Sequence, residues 1–266
     1  MAAKITIPIL EYHLTNSCNL ACESCSHYTN ILKGNTKKPS DLEEHLLSWS
    51  KILDIKQFNI LGGEPFINKN IGEFCFIARS ILPNSKILIY TNGLLLDKIK
   101  NIDVILQSII NNKIDIQVTI HSTSKNYADD LKPNLEILKY WKSLGINVIH
   151  KDGVTNWTKR YHTNIDGTIS PFQDNDQEKS WNICPCKYCA ILIDDKIYKC
   201  APLAYLPEMK EVNKTTPEFD QYLKYKPISY SEPIEKIQEF FDRNYKSESF
   251  CSMCPSQMIK IKNKPI

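Results

Sequence analysis

An alternation through the first half of the chain narrows its fold more than any other feature. Short runs rich in β-branched and apolar residues take turns with segments whose apolar residues recur at helical spacing. Ile7 to Leu14 reads as a strand. Asp41 to Leu53 reads as a helix on Leu42, Leu46, Trp49 and Leu53, with Ser40 or Asp41 suited to cap it. Phe58 to Leu61 and Ile87 to Tyr90 are extended, and Ile71 to Leu82 and Asp97 to Ile110 are helical. Ile114 to Ile120 is extended with period-2 apolar positions. Pro133 to Leu144 is helical, with Pro133 in its first turn and Gly145 at its C-cap, and Ile146 to Ile149 is a further strand. Strands that alternate with helices imply a parallel sheet with right-handed crossovers. The expectation is α/β, a partial (β/α)6 TIM-like barrel, whose sixth strand falls between Val154 and Ile169.

The pattern changes after about residue 170. Asp174 to Ser180 is polar, Ala190 to Lys199 suggests a hairpin, and Glu218 to Tyr225 and Pro233 to Tyr245 read as short helices. A boundary near 172 divides a barrel of residues 1–172 from a small α+β domain of residues 173–266.

The cysteines follow the same division. Three of the ten lie between 18 and 25, six between 184 and 254, and Cys75 stands alone on the apolar side of a helix, as a core residue. No run approaches the roughly 18 apolar residues of a membrane span. Met1 to Ile9 lacks the apolar run and small-residue cleavage site of a secretory signal. A formal charge of +3 on 266 residues leaves no nucleic-acid footprint. The expectation is a cytoplasmic protein without membrane or nucleic-acid partners. In a reducing compartment, grouped cysteines point to metal rather than to disulfides.

Cys18, Cys22 and Cys25 form a C-x3-C-x2-C triplet directly after the first strand. Three thiolates occupy three corners of a cubane and leave one iron for an exogenous ligand. Zinc is the competing occupant, but it wants four closed ligands, and only His27 is near enough in sequence to complete a set. Gly62-Gly63-Glu64-Pro65 follows the second strand and Thr91-Asn92-Gly93 the third. In a parallel barrel these loops share the C-terminal face, where chemistry is placed.

On these three motifs, in this order at strand ends, the sequence resembles the radical S-adenosylmethionine (SAM) superfamily. The resemblance implies a SAM-binding [4Fe–4S] cluster on Cys18, Cys22 and Cys25. It implies SAM held by Gly62, Gly63, Glu64 and Pro65, with Glu64 as the carboxylate for the ammonium, and further SAM contacts at Thr91 and Asn92. Ser122, after the fourth strand, is a candidate for the ribose. Ser24 stands where the superfamily commonly has an aromatic residue near the adenine; Tyr28 is the nearest aromatic that could fill the space. The implied chemistry is reductive cleavage of SAM to methionine and a 5′-deoxyadenosyl radical, which abstracts hydrogen from substrate, with flavodoxin or ferredoxin as electron donor.

Cys184-Pro185-Cys186-Lys187-Tyr188-Cys189, Cys200 and Cys251-x2-Cys254 resemble the SPASM/twitch extension of the same superfamily, in its single-cluster twitch form. That resemblance implies an auxiliary [4Fe–4S] cluster on Cys200, Cys251, Cys254 and one of Cys184, Cys186 and Cys189. Cys184 suits the spacing best, and Cys189 would pack beneath the hairpin. Structural zinc is again the competitor. The family's turn glycine is replaced by Asp194-Asp195-Lys196. The compact second domain favours a small polar substrate, a sugar or cyclitol undergoing two-electron oxidation, over a precursor peptide. Arg160 is the candidate catalytic contact to that substrate. His13, His121, Lys151, Asp152, Tyr161 and His162 are weighed as packing, turn or loop residues against substrate roles.

Overall fold

The computed structural model describes residues 4–155 and 157–261. Its first half follows the alternation: β1 (Ile5–His13), α1 (Pro39–Ser50), β2 (Leu53–Leu61), α2 (Ile71–Ile81), β3 (Lys86–Thr91), α3 (Ile102–Asn111), β4 (Asp115–Ile120), α4 (Lys125–Ser143) and β5 (Val148–Asp152). Adjacent strands from β1 to β5 pair in parallel. The face covered by helices is apolar: Leu42, Leu46 and Trp49 of α1 and Phe74, Cys75 and Ala78 of α2 are fully buried. Cys75 is thus a core residue.

The sixth strand is not where the sequence suggested. Residues between Val154 and Ile169 contribute β6 (His162–Thr163), which pairs with β7 (Ile169–Ser170) as a small separate antiparallel sheet. The sixth parallel strand comes from the other end of the chain. After α5 (Gln177–Ile183), β8 (Cys189–Ile193) lies parallel to β1, with Ile9 opposite Cys189 and Tyr12 opposite Leu192. β9 (Lys196–Tyr198) turns back against it; α6 (Ala201–Glu211), β10 (Ile228–Ser229) and α7 (Ile234–Asn244) follow. The full order is β10-β9-β8-β1-β2-β3-β4-β5. β1, which leads into the first cysteine group, and β8, which begins at Cys189 of the second, are therefore neighbours in one sheet.

Local corrections have local causes. α1 begins at Pro39, and Asp41 acts from its first turn, its carboxylate accepting from the Lys38 N–H at 2.9 Å. α4 starts at Lys125, capped by Ser124, whose Oγ accepts from Tyr127 N at 3.3 Å. Pro133 therefore lies inside the helix rather than in its first turn; Asn134 Nδ2 donates to the Asp130 carbonyl at 3.0 Å in the same turn. α6 was illegible because Pro202 and Pro207 both fall within it. Asp194 takes the left-handed conformation (φ +52°) that a glycine would have supplied to the β8–β9 turn. Lys37 holds it in place with an ion pair at 2.7 Å.

Candidate cofactor and substrate site

The loop after β1 is fastened to the end of β2 by glycine. Gly63 N donates to the Thr15 carbonyl (2.7 Å) and Glu64 N to the Ser17 carbonyl (2.9 Å). A Cβ at Gly63 would lie 2.2 Å from the Ser17 oxygen and 2.9 Å from Cys18 Cβ. The two-glycine bend is thus first a close-approach device that presses the cysteine loop against the barrel rim. The carbonyl oxygens of Gly62 and Gly63 accept no hydrogen bond among the described residues.

Beside this bend a cavity of about 400 Å³ opens over the C-terminal ends of β1 to β5. Cys18, Cys22 and Cys25 line it, as do Gly62, Gly63, Thr91 and Asn92. Leu20 N donates to Cys18 Sγ (3.4 Å), Cys22 Sγ lies 3.7 Å from His121 Nδ1, and Cys25 Sγ lies 3.4 Å from Thr29 Oγ1. Burial, with Glu64 and the other two thiols adding to it, pushes the Cys18 thiol up to about 12.

Glu64 and Pro65 do not line the cavity. The Glu64 carboxylate turns inward. It accepts from Thr91 Oγ1 (2.8 Å), Asn92 N (2.8 Å) and Phe66 N (3.2 Å), tying β2 to β3. Burial raises its pKa to about 7 despite those three bonds. Asn92 reaches the cysteine loop directly, its Nδ2 donating to Asn19 Oδ1 at 2.8 Å.

Ser122 also lies off the cavity, its Oγ accepting from Ser124 N (3.1 Å) in the turn before α4, while the neighbouring His121 faces in. Tyr28 is buried away from the cavity, 5.3 Å from the Tyr161 ring centroid, its hydroxyl donating to the Pro202 carbonyl at 3.4 Å. The aromatic wall is instead Trp157, which the sequence reading missed. Its ring stands edge-on to His121 at 5.6 Å and its Nε1 donates to the Glu23 carbonyl at 2.9 Å.

The barrel floor holds a second surprise. Glu11, Tyr90, Gln117, Thr119 and Lys151 point into the cavity from β1, β3, β4 and β5. Glu11 is buried, accepts from Asn59 Nδ2 at 3.3 Å, and is raised above the ordinary carboxylate range chiefly by burial. Its signal in the sequence was the lone acidic residue of a mostly apolar central strand. His13, at the end of β1, packs instead between His27 (4.1 Å) and Tyr205 (5.1 Å), with neither ring nitrogen bonded among the described residues.

The second cysteine group divides. Cys186 and Cys189 line the cavity, and Cys189 lies against Glu11 rather than beneath the hairpin. Cys184 lies against Cys186, the largest influence on its thiol, and also bears on Cys200, Cys254 and Cys251. Cys184, Cys200, Cys251 and Cys254 are half-buried and bear on one another, and burial pushes Cys254 up to about 12. Among the described residues, no three His, Cys, Asp or Glu side chains are arranged around a single-ion site. Lys199, adjacent to Cys200, is buried with its Nζ bonded to Glu248 (2.9 Å) and to the carbonyls of Asn244 (2.5 Å) and Lys246 (2.9 Å). Arg160 lines the cavity.

The family model for the radical SAM superfamily matches residues 12–160, more than half of the chain. The protein belongs to the radical SAM superfamily. Its cofactors are accordingly SAM and a [4Fe–4S] cluster. The residues fit them. A thiol held as far above neutrality as that of Cys18 stays protonated when free, and a bound metal is what makes a thiolate of it. A three-thiol set opening on a cavity suits a radical SAM cluster with one exposed iron.

Among curated relatives, a GTP 3',8-cyclase from Clostridium botulinum (strain Okra / Type B1) is 26% identical over 180 residues, 60% of this chain and 55% of the relative. An S-adenosylmethionine-dependent nucleotide dehydratase from Thermoplasmatales archaeon (strain ISO4-H5) is 29% identical over 84 residues, 32% of this chain and 29% of the relative. The chain spans about half the length, or less, of these curated relatives. Among solved structures, BtrN in complex with AdoMet and 2-DOIA aligns over 98% of both chains with 14% identity and a TM-score of 0.49. Among the described residues, no helix is long and apolar enough to cross a membrane.

Proposed function

We propose that this radical SAM enzyme oxidises a small polar substrate by two electrons. In this reading Cys18, Cys22 and Cys25 hold the SAM-cleaving cluster, and Cys184, Cys200, Cys251 and Cys254 hold an auxiliary [4Fe–4S] cluster. When bound, the first cluster and SAM supply reductive C–S cleavage and hydrogen-atom abstraction, with flavodoxin or ferredoxin as electron source.

The chain's own residues do the positioning. The carbonyl oxygens of Gly62 and Gly63, left unpaired beside the cysteines, accept from the SAM ammonium. Glu64 acts one step back, fixing Thr91 and Asn92 where they border the cavity. Trp157 walls off water and offers a face to the adenine. Arg160 closes the cavity on the side of the second thiol group.

The observation that carries the substrate class is the polar floor. Barrel interiors are normally filled by bulky branched apolar side chains. Here Glu11 and Gln117 are buried in the lumen, with half-buried Thr119 and exposed Lys151 at its margin, and burying such polar groups is costly unless something polar meets them. A polyhydroxylated or amino-substituted molecule matches that set.

A label-transfer screen tests the proposal. Cyclitols and amino sugars deuterated at carbon are incubated with reduced enzyme and SAM, and the label is followed into 5′-deoxyadenosine. Ribose-labelled nucleotides join the series because curated relatives are named as GTP 3',8-cyclases. Transfer from a polyol, amino sugar or nucleotide is expected; transfer from peptides alone sinks the small-molecule reading.

A further inference from the structure

Glu11 is an acid placed where nothing in the chain answers it with a charge. Along β1, Leu10 and Tyr12 are buried in the core, while Ile9 and Glu11 turn into the cavity. Glu11 is 7% exposed. A carboxylate buried to that degree is costly unless a cation or several donors meet it. The strands on either side of β1 supply no such cation. β8 reads Cys189-Ala190-Ile191-Leu192-Ile193, and the one lysine of β2, Lys56, is exposed and ion-paired with Asp54 at 2.6 Å. Lys151 and Arg160 line the same cavity, yet neither forms an ion pair with Glu11 among the described residues.

What does meet Glu11 is a fixed donor on one oxygen. Asn59, directly opposite in register on β2 and 1% exposed, donates from Nδ2 to Glu11 Oε1 at 3.3 Å. Asn59 is itself held by Gln57, whose Nε2 donates to its Oδ1 at 2.9 Å. That bond occupies the amide oxygen and leaves the amide nitrogen to face Glu11. The second carboxylate oxygen, Oε2, receives no N–H or O–H from the described residues and is not sealed from the cavity. Cys189, beside it in the cavity wall, offers only a thiol, which is a weak donor. One oxygen is thus held from behind, and the other is left for whatever enters the cavity.

We infer that Glu11 is the specificity-determining residue of the cavity floor, and that it takes an ammonium group of the substrate. The inference rests on the reading of the cavity as a small-molecule site. It narrows that reading from polyols, amino sugars and nucleotides to molecules that carry a free amine. An ammonium brings the missing cation together with three donors, so it neutralises the carboxylate and satisfies the open oxygen at once. A hydroxyl brings one donor and no charge, and a phosphate meets a like charge. Glu11 stands two residues before the end of β1, about 7 Å down the strand. The amine is therefore the deep end of the ligand, and the rest of the molecule rises toward the cysteine loop.

Deuterium transfer from matched triplets tests this. Each carbon-deuterated sugar or cyclitol is offered to the anaerobically reconstituted full chain with SAM and reductant in three forms: the free amine, its hydroxyl counterpart and its N-acetyl derivative. Glucosamine, glucose and N-acetylglucosamine are one such set, and deuterated nucleotides run beside them. The amine members should transfer label to 5′-deoxyadenosine with kcat/KM about tenfold or more above their partners. Glu11→Gln keeps the shape and loses the charge. In that variant KM for the amine should rise about tenfold while the hydroxyl counterpart is handled at least as well as before, so the preference collapses. Glu11→Asp should keep the order of preference. A preference unchanged in Glu11→Gln, or a uniform loss over all members, overturns the inference. Should neither variant fold, the wild-type ranking decides. Preference for the hydroxyl, N-acetyl or nucleotide members overturns the inference and leaves the small-molecule reading standing. Transfer from peptides alone, or from nothing offered, removes both.

Discussion

The two thiol sites use the same ligand chemistry in opposite settings. The N-terminal site offers three sulfurs to an open cavity, and Glu64 and the neighbouring sulfurs bear on Cys18. The C-terminal site gathers four half-buried sulfurs whose charges bear on one another, with the Lys199 ammonium acting on Cys251. The first setting disfavours added electrons and leaves room for a ligand. The second sets the buried Lys199 ammonium beside its sulfurs, which favours negative charge there. On the proposed reading, one centre gives an electron away and the other takes one up. What differs between them is the second layer of residues rather than the ligands.

Three experiments press on that contrast. The largest effect should come from exchanging the sites' losses. Cys18→Ala should abolish 5′-deoxyadenosine formation to background while the C-terminal iron is retained. Cys200→Ala should do the reverse, losing that iron yet still cleaving SAM without product. Iron and sulfide analysis with product chromatography reads both, and equal loss of both centres in either variant would break the comparison.

An intermediate effect is expected at the bend. Gly63→Ala forces a Cβ to within 2.2 Å of the Ser17 oxygen, so the backbone must shift. Overpacking of this kind costs about 1–3 kcal/mol. The cost should fall on the first site, lowering its iron content and SAM affinity while the second site's spectrum is unchanged.

The smallest effect is a pH dependence. The buried Glu64 carboxyl is raised from 4.5 to about 7, so the folded chain holds this proton over a range where the unfolded chain has lost it. Its contribution to stability is fully present below about pH 4.5 and is lost as pH rises through about 7. Thermal unfolding followed by circular dichroism should show the wild type losing a few °C (about 2–4 °C per kcal/mol at this size) over that window relative to Glu64→Gln. Parallel profiles would refute the assignment.

Much of this molecule was legible before its structure. The five alternating strands and their helices follow from hydrophobic period alone, which is local. The three motifs at strand ends were legible because a parallel barrel sends every such loop to one face. α6 was hidden by Pro202 and Pro207, and the true start of α4 by the weight given to Pro133, since tertiary packing overrides propensity. Trp157 and Glu11 gave no distinctive spacing, so their shared cavity was invisible.

The sequence by itself determined which residues have thiol chemistry, where strands end and which loops can meet, because these depend on side-chain type and on order along the chain. Only the tertiary structure decided which side of β1 the sixth parallel strand joins and that Glu64 turns inward while the glycine carbonyls stay open. These outcomes depend on contacts between segments as many as 192 residues apart, such as that of Asn16 with Glu208, and no local pattern encodes them. Arg160 belongs to the same class. Its identity was plain in the sequence, but its seat, with its backbone N–H on Ser24 Oγ at 2.6 Å, joins residues 136 apart.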